Sequence, residues 1–190
     1  MACRKCSLHL SRKNPVPGEG PLDAELMLVG EAPGRNEDLQ GRPFVGQAGK
    51  VLNALLGSIG LSRSNVYITN VVKCRPPNNR DPRPEEIRAC LPFLRRQVEL
   101  IRPRIIVALG RHAGKTLYEE AGLRWRGISR EHGRPREAVL WGVRVVLFPT
   151  YHPAAALYKP EIRGVLEEDF KRLAGLLGGG SRGRSLLDYF

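Results

Sequence analysis

The sequence predicts an α/β protein, a three-layer α/β/α sandwich with a central four-stranded parallel sheet. Four short apolar runs rich in β-branched residues are typical of strands that are buried on both faces. Helical patterns separate these runs, and strands that alternate with helices favour a parallel sheet between two helical layers. The four runs are Leu26–Gly30, Val66–Val72, Ile105–Gly110 and Val143–Phe148.

Four segments between and after the strands have the apolar spacing of helices. Gly49–Ile59 repeats apolar residues at helical intervals. Pro84–Ile101 begins with Pro-Glu-Glu, which favours a first helical turn, and contains Pro92, which can kink a helix. Residues 111–120 and 161–177 complete the set.

Three segments do not follow this alternation. Residues 1–25 are polar and rich in turn residues, and residues 124–142 are predicted to form a hairpin excursion. Residues 178–190 begin with a glycine-rich basic stretch. We therefore expect a single domain over 1–177 and a flexible C-terminal tail over 178–190.

Charge points to the class of partner and to the compartment. The 190-residue chain has 31 basic and 19 acidic residues, a formal charge of +12 that favours nucleic acid as a partner. The alternative is a generally basic surface. No apolar run approaches the length of a membrane span, and the N-terminus lacks a signal core. These features predict a monomeric cytoplasmic protein, intracellular and nucleoid-associated, without a membrane partner.

Four cysteines occur in the chain, two of them in a Cys-x-x-Cys pair. Disulfides are not expected in an intracellular protein, whereas four thiolates can hold one metal centre. The long stretches between them fit an iron–sulfur cubane better than a zinc ribbon, which favours two such pairs. Zinc and unrelated buried thiols remain the alternatives. The residues are Cys3, Cys6, Cys74 and Cys90.

The loop after the first predicted strand is a candidate ligand site. Ligands bind beyond the carboxyl ends of parallel strands, and glycines here let the backbone approach a flat ligand. The loop contains two acids, Glu31 and Glu37, and one aromatic residue, Phe44. An ordinary strand-to-helix connection is the alternative interpretation.

Two further polar residues lie at strand ends on the same predicted edge. The side-chain amide of Asn70 has an acceptor and two donors, which match the O4/N3–H edge of a pyrimidine. A structural Asn that satisfies backbone groups is the alternative. His152, which Pro153 holds in extended geometry, can donate to an oxyanion.

Five motifs together resemble the iron–sulfur family 4 uracil-DNA glycosylases, of the type found in thermophilic bacteria and archaea. The resemblance covers residues 1 to about 175, and the four cysteines match the ligands of that family's cluster. The motifs are Gly30-Glu-Ala-Pro-Gly34, Gly41-Arg-Pro-Phe-Val-Gly46, Tyr67-Ile-Thr-Asn70, Cys74-Arg-Pro-Pro77 and His152-Pro-Ala154.

The resemblance implies an enzyme that flips uracil out of single- or double-stranded DNA and hydrolyses its N-glycosidic bond. Phe44 would stack on the base, Asn70 would bind its Watson–Crick edge, and Glu37 would crowd a thymine methyl near C5. His152 and Glu31 would be catalytic, with His152 facing O2. Backbone groups around Glu31, Ala32 and Pro33 would hold the other side of the base.

The resemblance also implies a cofactor, and we expect DNA contacts near it. Cys3, Cys6, Cys74 and Cys90 would ligate a [4Fe–4S] cluster. The cluster would be structural, and the loop that it fixes would present basic residues to phosphates. The expected DNA-contacting residues are Lys73, Arg75, Arg80, Leu157 and Tyr158.

Two other function classes compete with an enzyme. A non-catalytic nucleic-acid-binding module could keep the fold, and an iron–sulfur electron carrier could use the cysteines.

A separate hypothesis concerns the tail, where Leu186, Tyr189 and Phe190 have the spacing of a sliding-clamp binding motif. Folding of these three residues back onto the enzyme is the alternative.

Overall fold

A computed structural model describes residues 3–178 of the chain, and five strands and six α-helices lie within them. The strands are β1 (Leu26–Gly30), β2 (Tyr67–Asn70), β3 (Ile105–Leu109), β4 (Arg136–Leu140) and β5 (Val143–Thr150). The helices are α1 (Arg35–Gln40), α2 (Gln47–Ser58), α3 (Pro84–Ile101), α4 (Arg111–Glu120), α5 (Ile128–Glu131) and α6 (Pro160–Gly178). Short 3₁₀ turns include Arg63–Asn65, Pro77–Asn79 and Pro153–Leu157.

The sheet has the strand order β2-β1-β3-β5-β4. The first four strands of this order are parallel, which confirms the four predicted parallel strands. The prediction of a four-stranded sheet was one strand short, because β4 pairs with β5 in antiparallel fashion at the edge. Most of β4 is exposed, so it lacks the continuous apolar run of a central strand.

Helices cover both faces of the sheet, which confirms the three-layer α/β/α architecture. Successive side chains of a strand point to opposite faces. Leu26 and Leu28 of β1 belong to one hydrophobic core, and Met27 and Val29 belong to the other. Helices α2 and α6 close the first core with Leu52, Leu56, Leu166 and Phe170. Helices α3 and α4 close the second with Leu94, Val98, Ala113 and Leu117.

The predicted element boundaries agree with the structure to within a few residues. Helix α3 has the predicted bounds and continues through Pro92, and α6 includes Gly178, one residue beyond the predicted end of the domain. The region 124–142 contains α5 and β4, and β4 forms a hairpin with β5 through Trp141-Gly142. The proposed clamp motif at Leu186, Tyr189 and Phe190 lies outside the described residues.

The strand order creates a crevice at the carboxyl edge of the sheet. The chain passes from β1 to β2 on one side and then returns to β3 on the other, and such a reversal is where open α/β sheets bind ligands. The loops after β1, β2, β3 and β5 all begin at this edge. No helix among residues 3–178 is long and apolar enough to cross a membrane.

Candidate active site

The predicted base-binding residues lie on the wall of one cavity of about 420 Å³ at the carboxyl edge of the sheet. They come from three separate loops and strand ends, which the parallel sheet brings together. Arg80 and Tyr158 also line this cavity. The seven residues are Glu31, Ala32, Pro33, Glu37, Phe44, Asn70 and His152.

Gly30 makes room for two side chains of the cavity. It pairs with Asn70 in the β1–β2 register. A Cβ atom at Gly30 would lie 2.7 Å from the Phe44 ring and would overlap Asn70 Oδ1. Only glycine therefore lets Phe44 and Asn70 approach each other at the end of β1.

Asn70 holds an unpaired acceptor at this point. The residue is 2% exposed, and its Oδ1 atom is buried without a hydrogen-bond partner among the described residues. Leaving a buried acceptor unsatisfied costs about 1–3 kcal/mol, so such an atom beside a cavity indicates a ligand that donates to it.

Phe44 is buried in a conformation that aromatic residues rarely adopt. Its φ is +52°, and its ring stacks against His152 with centroids 5.6 Å apart and planes at 28°. The Arg63 guanidinium donates to the carbonyl oxygens of Pro43 and Phe44 at 2.6 and 3.0 Å. These hydrogen bonds hold the backbone of the turn that carries Phe44.

Glu37 joins the loop that follows β1 to the turn that carries Phe44. Its carboxylate accepts hydrogen bonds from the backbone N–H groups of Gly34, Val45 and Gly46 at 3.1, 2.9 and 2.9 Å. These bonds cap α1 and fix the distance between the two motifs. Glu37 therefore has a structural role that the sequence did not indicate, besides lining the cavity.

His152 is positioned as a neutral hydrogen-bond donor. Its Nδ1 accepts a hydrogen bond of 3.1 Å from the N–H of Ala154, so the proton of the neutral ring is assigned to Nε2. Burial lowers the pKa of His152 to about 4, although the nearby Glu37 carboxylate opposes this shift. The imidazole is therefore neutral near pH 7 and offers Nε2–H.

The residues His112 and Asp81 were not predicted as part of the site, although they adjoin Glu31. His112 Nε2 lies 3.6 Å from a Glu31 carboxylate oxygen and 3.1 Å from an Asp81 oxygen. Burial is the main cause of the raised pKa of Glu31. The available sequence signal was the position of Gly110-Arg111-His112 directly after β3.

The expected DNA-contacting residues differ in their placement. Leu157 and Tyr158 are 44% and 83% exposed near the mouth of the cavity. Arg75 donates to Asn79, and Arg80 pairs with the buried carboxylate of Glu86.

Lys73 does not fit the expected role. It is 5% exposed, and its ammonium group donates to Thr69, to the Asn70 carbonyl and to Gln97. The interpretation of Lys73 as a phosphate contact is therefore wrong for this structure, because its charge is turned into the fold.

The four cysteines line a second cavity, of about 200 Å³, between the N-terminal segment and α3. Four thiols around one cavity are a donor set that can hold a metal centre. Arg12 donates to Cys74 Sγ at 2.9 Å, and the Lys73 N–H donates to Cys90 Sγ at 3.2 Å. Cys3, Cys6, Cys74 and Cys90 are therefore the residues that could hold a metal centre.

Comparisons with known proteins agree with this geometry. A family model described as the uracil DNA glycosylase superfamily matches residues 17–174. A type-4 uracil-DNA glycosylase of Saccharolobus solfataricus is 55% identical, over 90% of this chain and 80% of its own length. Those of Archaeoglobus fulgidus and Sulfurisphaera tokodaii are 52% and 51% identical over the whole of this chain, and over 94% and 86% of their own lengths. The chain therefore belongs to the uracil-DNA glycosylase superfamily, and its resemblance to the type-4 members is confirmed.

Proposed function

We propose that this protein is a DNA repair glycosylase that flips uracil out of DNA and hydrolyses its N-glycosidic bond, releasing free uracil and leaving an abasic site. The observation that carries this proposal is the unpaired Oδ1 of Asn70 on the wall of the cavity that Phe44 and His152 also line. The names of the type-4 relatives support the same activity.

The base is read by contacts that the cavity walls supply. Asn70 Oδ1 accepts from N3–H of uracil, and the amide nitrogen donates to O4. Phe44 supplies an aromatic surface for stacking, and the backbone of Glu31, Ala32 and Pro33 closes the other side. A base inside a duplex cannot reach these groups, so it must first be extruded from the stack.

Bond cleavage places negative charge on the base. When the bond between C1′ and N1 breaks, its electron pair leaves with uracil and spreads over N1 and O2. The Nε2–H of His152 donates to O2 and stabilises this anion, and a single donor of this kind contributes about 10²–10³-fold to the rate. A neutral donor suits the step because it gives up no proton to the leaving base.

Glu31 acts on the sugar side of the same bond. Its carboxylate lines the cavity, where it orients the attacking water or stabilises positive charge on the sugar. Water adds its oxygen to C1′, and its released proton balances the charge on uracil.

The four cysteines would hold a [4Fe–4S] cluster with a structural role. Ligation by Cys3 and Cys6 on one side and by Cys74 and Cys90 on the other would tie the N-terminal segment to α3 and to the loop after β2. Hydrolysis of an N-glycosidic bond transfers no electrons, so no step of the reaction requires this group.

DNA is proposed to approach along the rim of the cavity. Tyr158 and Leu157 are exposed there, and Arg75 and Arg80 lie in the segment between β2 and α3. The formal charge of +12 supports attraction to phosphates. We propose that the protein acts as a monomer on uracil-containing DNA, single- or double-stranded, in the cytoplasm and in association with the nucleoid.

Incubation with a labelled uracil-containing oligonucleotide tests the proposed function. Release of free uracil and an alkali-labile break at the uracil position are expected, and the thymine-containing strand serves as the control. Binding without uracil release would instead favour a non-catalytic DNA-binding module. If the protein neither binds DNA nor releases uracil but is redox-active, an electron carrier would be favoured.

A further inference from the structure

His112 lies between two carboxylates at the edge of the candidate active site. It is the second residue of α4, which begins directly after β3. Its Nε2 atom is 3.6 Å from Glu31 Oε2 and 3.1 Å from Asp81 Oδ2. Glu31 follows β1, and Asp81 precedes α3, so three separate parts of the chain converge on one nitrogen atom.

The contact with His112 is electrostatic. The Nε2 atom is buried and has no hydrogen bond of good geometry to the described residues. A single N–H cannot point at both carboxylates, which lie on different segments. What the ring can supply to Glu31 at 3.6 Å is therefore its positive charge when it is protonated.

The surroundings of Glu31 oppose its ionisation without that charge. Burial raises its pKa most, and the charge of Asp81 raises it further. His112 and Arg111 act in the opposite direction. Arg111, however, is paired with Asp81 at 2.6 Å on the exposed side. The His112 ring nitrogen thus faces the Glu31 carboxylate directly, and the ring is a cation when it is protonated.

We propose that His112 is a positioning residue that keeps Glu31 ionised and directed at the cavity. This inference rests on the proposed function, because it assigns His112 a role through the catalytic Glu31. Asp81 and Arg111 complete the arrangement, since Asp81 lies 3.1 Å from the same Nε2 atom and Arg111 compensates the charge of Asp81.

The test measures the Glu31 carboxyl directly in the full-length protein. Glutamate is labelled with ¹³C at the carboxyl carbon, and the Glu31 signal is assigned with Glu31→Gln. His112→Gln should move the titration midpoint of Glu31 to higher pH, since it removes a positive charge. Asp81→Asn should move the midpoint to lower pH, since it removes a negative one. Lys115→Gln, which removes an exposed charge from the same helix, should leave it unchanged.

A kinetic measurement checks the consequence for uracil release. Under single-turnover conditions, the acid limb of the pH profile should follow the Glu31 midpoint. His112→Gln should lose roughly 10-fold in rate on the acid limb of the profile and less than about 3-fold at its alkaline end, where Glu31 is ionised in both proteins. Lys115→Gln should match the wild type at both values.

An unchanged Glu31 midpoint in folded His112→Gln would overturn the proposal. A rate loss of equal size at every pH would also overturn it, because that is the result of a purely structural role. If the wild type released no uracil, the proposed function would fail, but the carboxyl titration would still decide the charge relationship between His112 and Glu31. Should His112→Gln fold poorly, Asp81→Asn becomes the test. A Glu31 titration midpoint at lower pH in Asp81→Asn would support the arrangement, and an unchanged midpoint would contradict it.

Discussion

Arg63 donates a hydrogen bond of 3.0 Å from its guanidinium group to the carbonyl oxygen of Phe44. The same group donates to the Pro43 carbonyl, and Glu19 accepts from Arg63 Nε at 2.9 Å. Because Phe44 has a φ of +52°, its backbone is held in a sparsely populated region. Arg63 therefore holds the aromatic wall of the cavity in a conformation that the turn alone does not favour.

Arg63→Ala should loosen this wall. Loss of charged hydrogen bonds to two carbonyl groups should lower the free energy of unfolding by about 1.5–3 kcal/mol, measured by urea denaturation. Uracil release should fall roughly 10-fold or more, because the base is no longer held in place. Arg42→Ala is the control, since Arg42 pairs with the same Glu19 but is 59% exposed, and it should lose less than about 1 kcal/mol. Equal effects of the two substitutions would contradict the role of Arg63.

His152 should remain neutral across the working pH range. Its pKa of about 4 lies below that of an exposed histidine, so the protonated form appears only as the pH falls through 4. The imidazole C–H signals in NMR spectra should therefore not titrate between about pH 5.5 and 8, and His152→Ala should lower uracil release about 10²–10³-fold at every pH in that range. A titration midpoint near 6.5 would show that the ring is solvated instead.

Asn70→Ala should leave the stability of the protein nearly unchanged. Removal of a buried unpaired acceptor offsets the loss of packing, so the free energy of unfolding should change by less than about 1 kcal/mol. Thr69→Ala, one residue earlier on β2, should cost about 1–3 kcal/mol, because the Thr69 hydroxyl donates to the Pro17 carbonyl and accepts from Lys73. A loss in Asn70→Ala as large as that in Thr69→Ala would show that Asn70 is a structural residue.

The purified protein should be yellow-brown, absorb broadly near roughly 400 nm and contain about four iron atoms per chain. The position of all four cysteines on the wall of one cavity is the reason for this expectation. Metal analysis after anaerobic purification checks it. A colourless protein with one zinc per chain would contradict it.

The sequence predicted those parts of the fold that local patterns encode. The strands β1 and β3 are apolar and buried throughout, β2 is buried throughout, and β5 is buried over most of its length, because both faces of the sheet are covered. Such apolar runs are recognisable in the sequence. Strand β4 was not predicted because an exposed edge strand needs no continuous apolar run. The residues Glu31, Phe44 and His152 were found because each follows a predicted strand or lies in a glycine-rich loop.

Contacts between distant charged residues could not be predicted in the same way. Arg63 and Asp81 occur in segments with no distinctive pattern, and His112 has only its position directly after β3 as a signal. The folded chain brings them to Phe44 and Glu31. Lys73 was assigned to the surface because of its neighbour in the sequence. A lysine beside a predicted metal ligand suggested a surface loop, whereas Thr69 and Gln97 satisfy its ammonium group inside the fold.

Asn70 is proposed to read the N3–H edge of a flipped uracil. The most direct measurement compares single-turnover excision of uracil and of N3-methyluracil from otherwise identical oligonucleotides, by the wild type and by Asn70→Ala. The wild type should excise the methylated base at least about 10²-fold more slowly, since the methyl group removes the donor to Oδ1. Asn70→Ala should distinguish the two bases by less than about 5-fold. Equal rates for the two bases in the wild type would contradict the account.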